Sequence, residues 1–272
     1  MAASAQATQM VGRGGRRIPP AALAAVAIAW IVTLAAQSSG RAALLNHGRL
    51  IEGSRFQAPP PLWIALPLFL VAWQVMVVAM MLPSSVPMIR LFRTTSARQP
   101  RPAAVRAAFL SAYFVVWGAF GAVAFLQDVG IHRLVDRTPW LQAHPWVIAG
   151  AALALAGAFQ FSALKERCLT ECRHPAAFLL QHYQRGTRAA FRLGRKHGVF
   201  CLGCCWALML VMFAAGVANL LWMAVLGALM FYEKVGRAGD RVTPVAGVVL
   251  LLLAGLVFIH PAWLPGVLGG AG

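Results

Sequence analysis

Apolar residues fall along this chain in runs too long for the core of a small soluble domain, and polar residues gather between them. The runs are Pro20–Gln37, Leu62–Leu82, Ala107–Gln127, Trp146–Leu164, Gly198–Ala215, Leu220–Tyr232 and Pro244–His260. A helix needs about 20 mostly apolar residues to cross a bilayer, and all but Leu220–Tyr232 come near that length. The short run reads either as a crossing or as a re-entrant element. The pattern predicts an all-α fold: a polytopic helical membrane protein of about seven transmembrane helices. Residues 18–264 form one transmembrane domain, with a disordered basic tail over 1–17 and a short C-terminal tail over 265–272. A cleaved leader is the rival reading of the first run, because a basic start and small residues at Ala35-Ala36 fit one.

Breakers refine the picture. Pro83 and Pro87 predict a break or kink where the second run ends. Arg90–Arg106 and Asp128–Pro145 read as loops. Lys165–His197 interleaves Phe178, Leu179, Tyr183 and Phe191 with arginines, which predicts amphipathic helix on the bilayer surface. Thirty-odd residues are too few for a core of their own.

Composition agrees: 60% of the residues are hydrophobic and 11% charged, with a mean hydropathy of +0.70. A net charge of +17 at first invites nucleic acid as a partner. However, 19 of the 24 lysines and arginines sit in the N-terminal tail and in alternate connections, at Arg90–Arg106, Lys165–Lys196 and Lys234–Arg241. That is the partition of a topology signal. It removes nucleic acid and leaves the lipid bilayer as the partner. It also places the N-terminus in the cytoplasm of a bacterial inner membrane, and favours an uncleaved first helix.

Chemistry concentrates at the inner ends of the runs. His197, Cys201, Cys205, Met209 and Met212 follow steps of four, four, four and three, so one helix would carry them on one face. Cys204 lies off that face. Cys168 and Cys172 are one turn apart behind the fourth run, and Met80-Met81 close the second. Glu233-Lys234 close the sixth. On the charge-derived orientation all four stretches reach one depth on the reducing side, where thiols stay free. Thiolates and thioethers select Cu(I), zinc or an iron–sulfur cluster. The candidate metal ligands are Cys168, Cys172, Cys201, Cys204 and Cys205, with His197, His174, Met80, Met81, Met209 and Met223 behind them. The spacing Cys-x3-Cys, then Cys-x2-Cys-Cys, is not that of a zinc ribbon. Cys168, Cys172, Cys201 and Cys205 are expected to form four corners of one site, with Cys204 as spare. The competing expectation is five unrelated small packers.

The blocks AMMLPSSVP (Ala79–Pro87), FQFSALKERCLTECRHP (Phe159–Pro175), HGVFCLGCCWALM (His197–Met209) and GVANLLWMAVLGALMFYEK (Gly216–Lys234) resemble the bacterial DUF2182 family of predicted metal-binding integral membrane proteins. Ala218 departs from a pattern that commonly has Met before the Asn. The resemblance implies metal binding and no established reaction.

The leading expectation is therefore a membrane protein that handles a transition metal ion, Cu(I) or Zn(II), with a soluble or membrane protein partner of unknown identity. A membrane thiol oxidoreductase and a secondary transporter of an unknown solute are the alternatives. Enzymatic chemistry has little support. No GxxxxGK[ST] loop is present, and all seven acids read as lying in loops or at the ends of runs.

Overall fold

The computed structural model describes residues 20–38, 50–51, 60–215 and 219–263. The tails at 1–17 and 265–272, most of the 40–61 connection and the turn at 216–218 lie outside the described residues. Among the described residues every regular element is helical and there is no strand. The helices are α1 (Pro20–Ser38), α2 (Leu62–Met80), α3 (Leu82–Ser96), α4 (Pro102–Arg137), α5 (Pro139–Ala143), α6 (Trp146–Phe159), α7 (Ala163–Arg173), α8 (Pro175–His182), α9 (Thr187–Ala215), α10 (Leu220–Val235) and α11 (Gly239–Ile259). A 3-10 turn, Pro261–Trp263, follows.

Five of these, α1, α2, α4, α9 and α11, are long and apolar enough to cross a membrane. A sixth crossing arises if α6 and α7, bent by 64° at their junction, make one broken span. The described residues are thus all-helical, with five or six candidate membrane spans. At 16 residues, α10 is shorter than the others.

Several predicted loops are helix. Helix α4 does not stop at Gln127 but runs 36 residues to Arg137, ended by Pro139. Its last turns lose hydrophobicity without losing helix formers, and His132 bonds back to the Asp128 carbonyl at 2.9 Å. Asp128 is therefore inside a helix and buried, not in a loop. Arg90–Arg106 likewise begins as helix. The chain continues through Pro87 to Ser96, where the hydroxyls of Thr94, Thr95 and Ser96 return to carbonyls of Leu91, Phe92 and Arg93. Within Lys165–His197 the chain forms α7, α8 and the first turns of α9, which starts at Thr187 rather than Gly198.

The predicted break after the second run occurs two residues before its proline, at Met81. Pro83 has no N–H to donate, and the Ser84 hydroxyl bonds the Met81 carbonyl at 2.9 Å. At the other bend, Ser162 caps α7 by accepting the Lys165 N–H at 3.1 Å.

Helix α9 is the centre of the bundle. It packs most extensively on α4 and also touches α6, α7 and α10. Of its apolar window 56% is buried inside the protein, against 11% for α1, most of whose surface faces outward. The α4–α9 approach is close because position 194 is glycine. A β-carbon there would collide with the Phe109 carbonyl oxygen.

Candidate functional site

The middle of α9 carries Cys201, Cys204 and Cys205, each 1% exposed. With 3.6 residues per turn, Cys201 and Cys205 share a face and Cys204 turns away from it. In this helix the thiols of Cys204 and Cys205 both donate to the Cys201 carbonyl, at 3.1 and 2.7 Å. The two faces meet different neighbours, and that difference organises the site.

On the Cys201–Cys205 face, α2 delivers Met81 at its break, and the Cys205 and Met81 sulfurs are 3.7 Å apart. Helix α10 delivers Lys234. Its ammonium donates to Cys201 Sγ at 3.2 Å and to Ser84 Oγ at 3.3 Å, with Cys205 Sγ at 3.9 Å. Helix α4 delivers Tyr113, whose hydroxyl is 3.3 Å from Cys201 Sγ and accepts from Ser85 at 3.2 Å. Four helices besides α9's own thus converge on two thiols: α2, α3, α4 and α10.

On the other face, α7 brings Cys172 against Cys204. The broken α6–α7 connection makes this possible, because the bend turns α7 onto α9. Cys168, one turn earlier, packs on Gly203. A β-carbon at 203 would stand 2.6 Å from its sulfur. Cys172 is the only cysteine that is not fully buried, and all five are free thiols.

Behind the thiols lies a buried ion pair. Lys165, fully enclosed, donates to Glu233 Oε2 at 2.8 Å. Arg173 Nε donates to the Glu233 carbonyl at 2.7 Å, and its guanidinium pairs with Asp240. The second carboxylate oxygen, Glu233 Oε1, has no partner among the described residues. Ionisable side chains are costly at such depth and persist where they pair or serve a site.

The predicted four-cornered site is not formed as drawn. Among the described residues no group of three or more His, Cys, Asp and Glu side chains could hold an ion. Cys204, expected as the spare, is the thiol that meets Cys172, while Cys201 and Cys205 face Met81 and Lys234. The sulfur set on that face is completed by a thioether, a residue type outside that group. His174 is exposed, with Nδ1 bound to the Thr170 carbonyl at 2.9 Å. His197 is buried and stacks between Tyr113 and Phe109, at 5.6 and 6.0 Å between ring centres. Its imidazole therefore belongs to an aromatic stack. Met80, Met209 and Met223 are buried in the same core cluster as the thiols.

Sequence reasoning passed over Tyr113, Ser84 and Ser85. Only Tyr113 left a signal, as a lone phenol among the apolar residues of α4. Lys165 and Arg173, basic groups expected to offset charge on the thiolates, are instead engaged by Glu233 once the bend at Gln160–Ser162 folds α7 inward.

A family model described as "PpoB2: Copper chaperone" matches residues 70–257. The four sequence blocks that carry the DUF2182 resemblance all fall inside that stretch. No curated protein and no solved structure matches the chain.

Proposed function

The chain belongs to the PpoB2 copper chaperone family, and from that premise we propose that it is a bacterial inner-membrane protein that receives Cu(I) as cargo at Cys201, Cys205 and Met81 and passes it to a protein partner. The observation that carries this reading is the Cys205–Met81 sulfur separation of 3.7 Å, with Cys201 one turn away on the same face. Two sulfur ligands on one ion, each at about 2.3 Å, stand about 3.8 Å apart at a tetrahedral angle. The unloaded pair is already near that spacing. Two thiolates and a thioether are soft donors that suit Cu(I), whereas structural zinc takes four N, S or O ligands, commonly thiolate and imidazole. Among the described residues this face offers sulfur donors, with the adjoining thiol of Cys204 shared between Cys205 and Cys172, and His197 is held in its aromatic stack. Copper is therefore favoured over zinc.

Binding Cu(I) between two thiols releases their protons and leaves one net negative charge. The Lys234 ammonium, 3.2 Å from Cys201 Sγ, is placed to offset it. Lys165 neutralises Glu233 next door, so Lys234 remains available to the sulfurs. Cys172, the least buried of the five thiols and in contact with Cys204, is the thiol from which a donor protein would hand the ion inward. A thiol oxidoreductase draws on that same contact. It predicts a Cys172–Cys204 disulfide as a working state, which copper handling does not need. In our reading the N-terminus is cytoplasmic, α10 is a short seventh crossing and the thiols open to the reducing side, in keeping with the basic connections.

The test is anaerobic titration of the purified protein with Cu(I) against a chromophoric Cu(I) chelator. One tightly held Cu(I) per chain is expected. C201S/C205S should lose at least tenfold in affinity, about 1.4 kcal/mol, and C172S should slow loading without changing the stoichiometry. Unchanged affinity in C201S/C205S would overturn the assignment.

A further inference from the structure

The thiol cluster does not end in ordinary core. Every described methionine is buried, at 3% exposure or less, and all but Met88 belong to the one cluster that also contains the cysteines. On α9 the face that starts with Cys201 and Cys205 continues as Met209 and Met212, four and then three residues on, both 0% exposed. Beside it, α2 carries Met76 and Met80 one turn apart. Position along the bundle is fixed at two levels. Cys205 touches Met81 at 3.7 Å, and eight residues further along α9 Phe213 meets Trp73 and Phe69 at 5.8 and 5.9 Å between ring centres. Met209 and Met212 on α9, and Met76 and Met80 on α2, lie between those levels on both helices. A third helix joins them. A β-carbon on Gly227 of α10 would stand 3.6 Å from Met80 Cγ, which sets Met80 at a height between Met223 and Met230.

We propose that the protein conducts Cu(I) through the membrane, from Cys201 and Cys205 along this buried thioether column toward the Trp73–Phe213 end. The proposal rests on the copper reading above and extends it from holding an ion to moving one. Cys201 to Met212 is eleven residues, about 16 Å of helix rise, more than half of a hydrocarbon core of about 30 Å. Thioethers suit the task because they are soft, so they accept Cu(I), and neutral, so they leave no buried anion when the ion departs. A run of thiolates would trap the ion instead, and conduction requires many weak sites rather than one strong one. Each step exchanges one Cu–S bond for another with no change of oxidation state. The protons displaced from the two thiols on loading return when the ion moves on to Met209 and Met76. Net movement follows the gradient of free Cu(I), and Phe69, Trp73 and Phe213 close the far end of the column.

The experiment is flux into proteoliposomes of the full-length chain holding an impermeant Cu(I) chelator, with Cu(I) kept reduced by ascorbate outside. We expect flux well above protein-free vesicles, and a drop of at least tenfold in M76L/M209L/M212L. Leucine nearly conserves volume, so packing survives. Copper bound per chain should stay at the wild-type value in that variant. Vesicles of the unaltered protein should also admit Ag(I) but not Zn(II), a comparison that needs no variant to fold. Wild-type flux equal to protein-free vesicles, undiminished flux in the triple variant, or equal Zn(II) passage would overturn the relay. Because bound copper is read on the same samples, a wild-type chain that holds copper but passes none overturns the relay alone and leaves the chaperone reading standing.

Discussion

The two halves of the α9 path contrast sharply. Around Phe213 the neighbours are Phe69 and Trp73, tilted at 5.9 and 5.8 Å, with Phe125 stacked on Phe69 at 4.6 Å and Trp73 Nε1 satisfied by the Trp117 carbonyl at 2.9 Å. Around Cys201 the neighbours are Lys234, Tyr113 and Met81, with the Lys165–Glu233 pair close behind. Phe69, Trp73 and Phe125 are as buried as Cys201, so burial does not explain the difference. The aromatic end is what membrane helices need in order to pack. The sulfur end carries two ammonium groups and a carboxylate that an apolar core would stabilise just as well without. A buried ion pair is often no better for stability than apolar residues of equal volume. Its presence beside five free thiols supports placing the proposed copper chemistry at that end.

That contrast can be broken most forcefully at the ion pair. E233Q leaves Lys165 enclosed and unpaired, and should destabilise the protein by about 3–5 kcal/mol. K165M/E233M, with both charges removed, should recover most of that loss. Thermal unfolding in detergent measures both, and a stable E233Q would contradict the pairing. At the opposite end, F69A should cost about 3 kcal/mol through the cavity it opens while copper bound per chain stays unchanged. A stoichiometry that fell with F69A would mean the two ends are not separable.

Smaller effects sharpen the picture. K234M should leave the fold intact and weaken Cu(I) affinity about tenfold, close to 1.4 kcal/mol, because the charge on the loaded sulfurs loses its partner. Competition titration reads this, and an unchanged affinity would remove Lys234 from the site. G203A should cost about 1 kcal/mol through overpacking against Cys168. C168A should relieve that cost in a double-mutant cycle. H174A, altering an exposed ring, should change neither stability nor copper binding measurably.

Much of this was legible in the chain. The all-helical membrane fold followed from run length alone, and the register Cys201, Cys205, Met209, Met212 from a step of about 3.6 residues. The partition of lysine and arginine brought Met81, Cys201 and Lys234 to one depth before any contact was known. Helix ends were harder to read. Hydrophobicity marks where a helix leaves the apolar layer, not where it stops, so α4 was cut short at Gln127 and α9 was started late at Gly198. The pairing of thiols was beyond the sequence for a different reason. Which cysteine faces which depends on the 64° bend between α6 and α7. Gln160–Ser162 carries no proline or glycine to announce that bend. With α7 turned inward, Cys204 receives Cys172, and Cys201 and Cys205 are left for Met81.

The central claim, that Cys201, Cys205 and Met81 form the copper-holding face, is tested most directly by Cu K-edge X-ray absorption on the protein loaded with one Cu(I) per chain. The account predicts an all-sulfur shell of three ligands at about 2.3 Å, falling to two sulfurs in M81L and losing its sulfur character in C201S/C205S. A shell dominated by nitrogen or oxygen, or one that survives C201S/C205S unchanged, would contradict it.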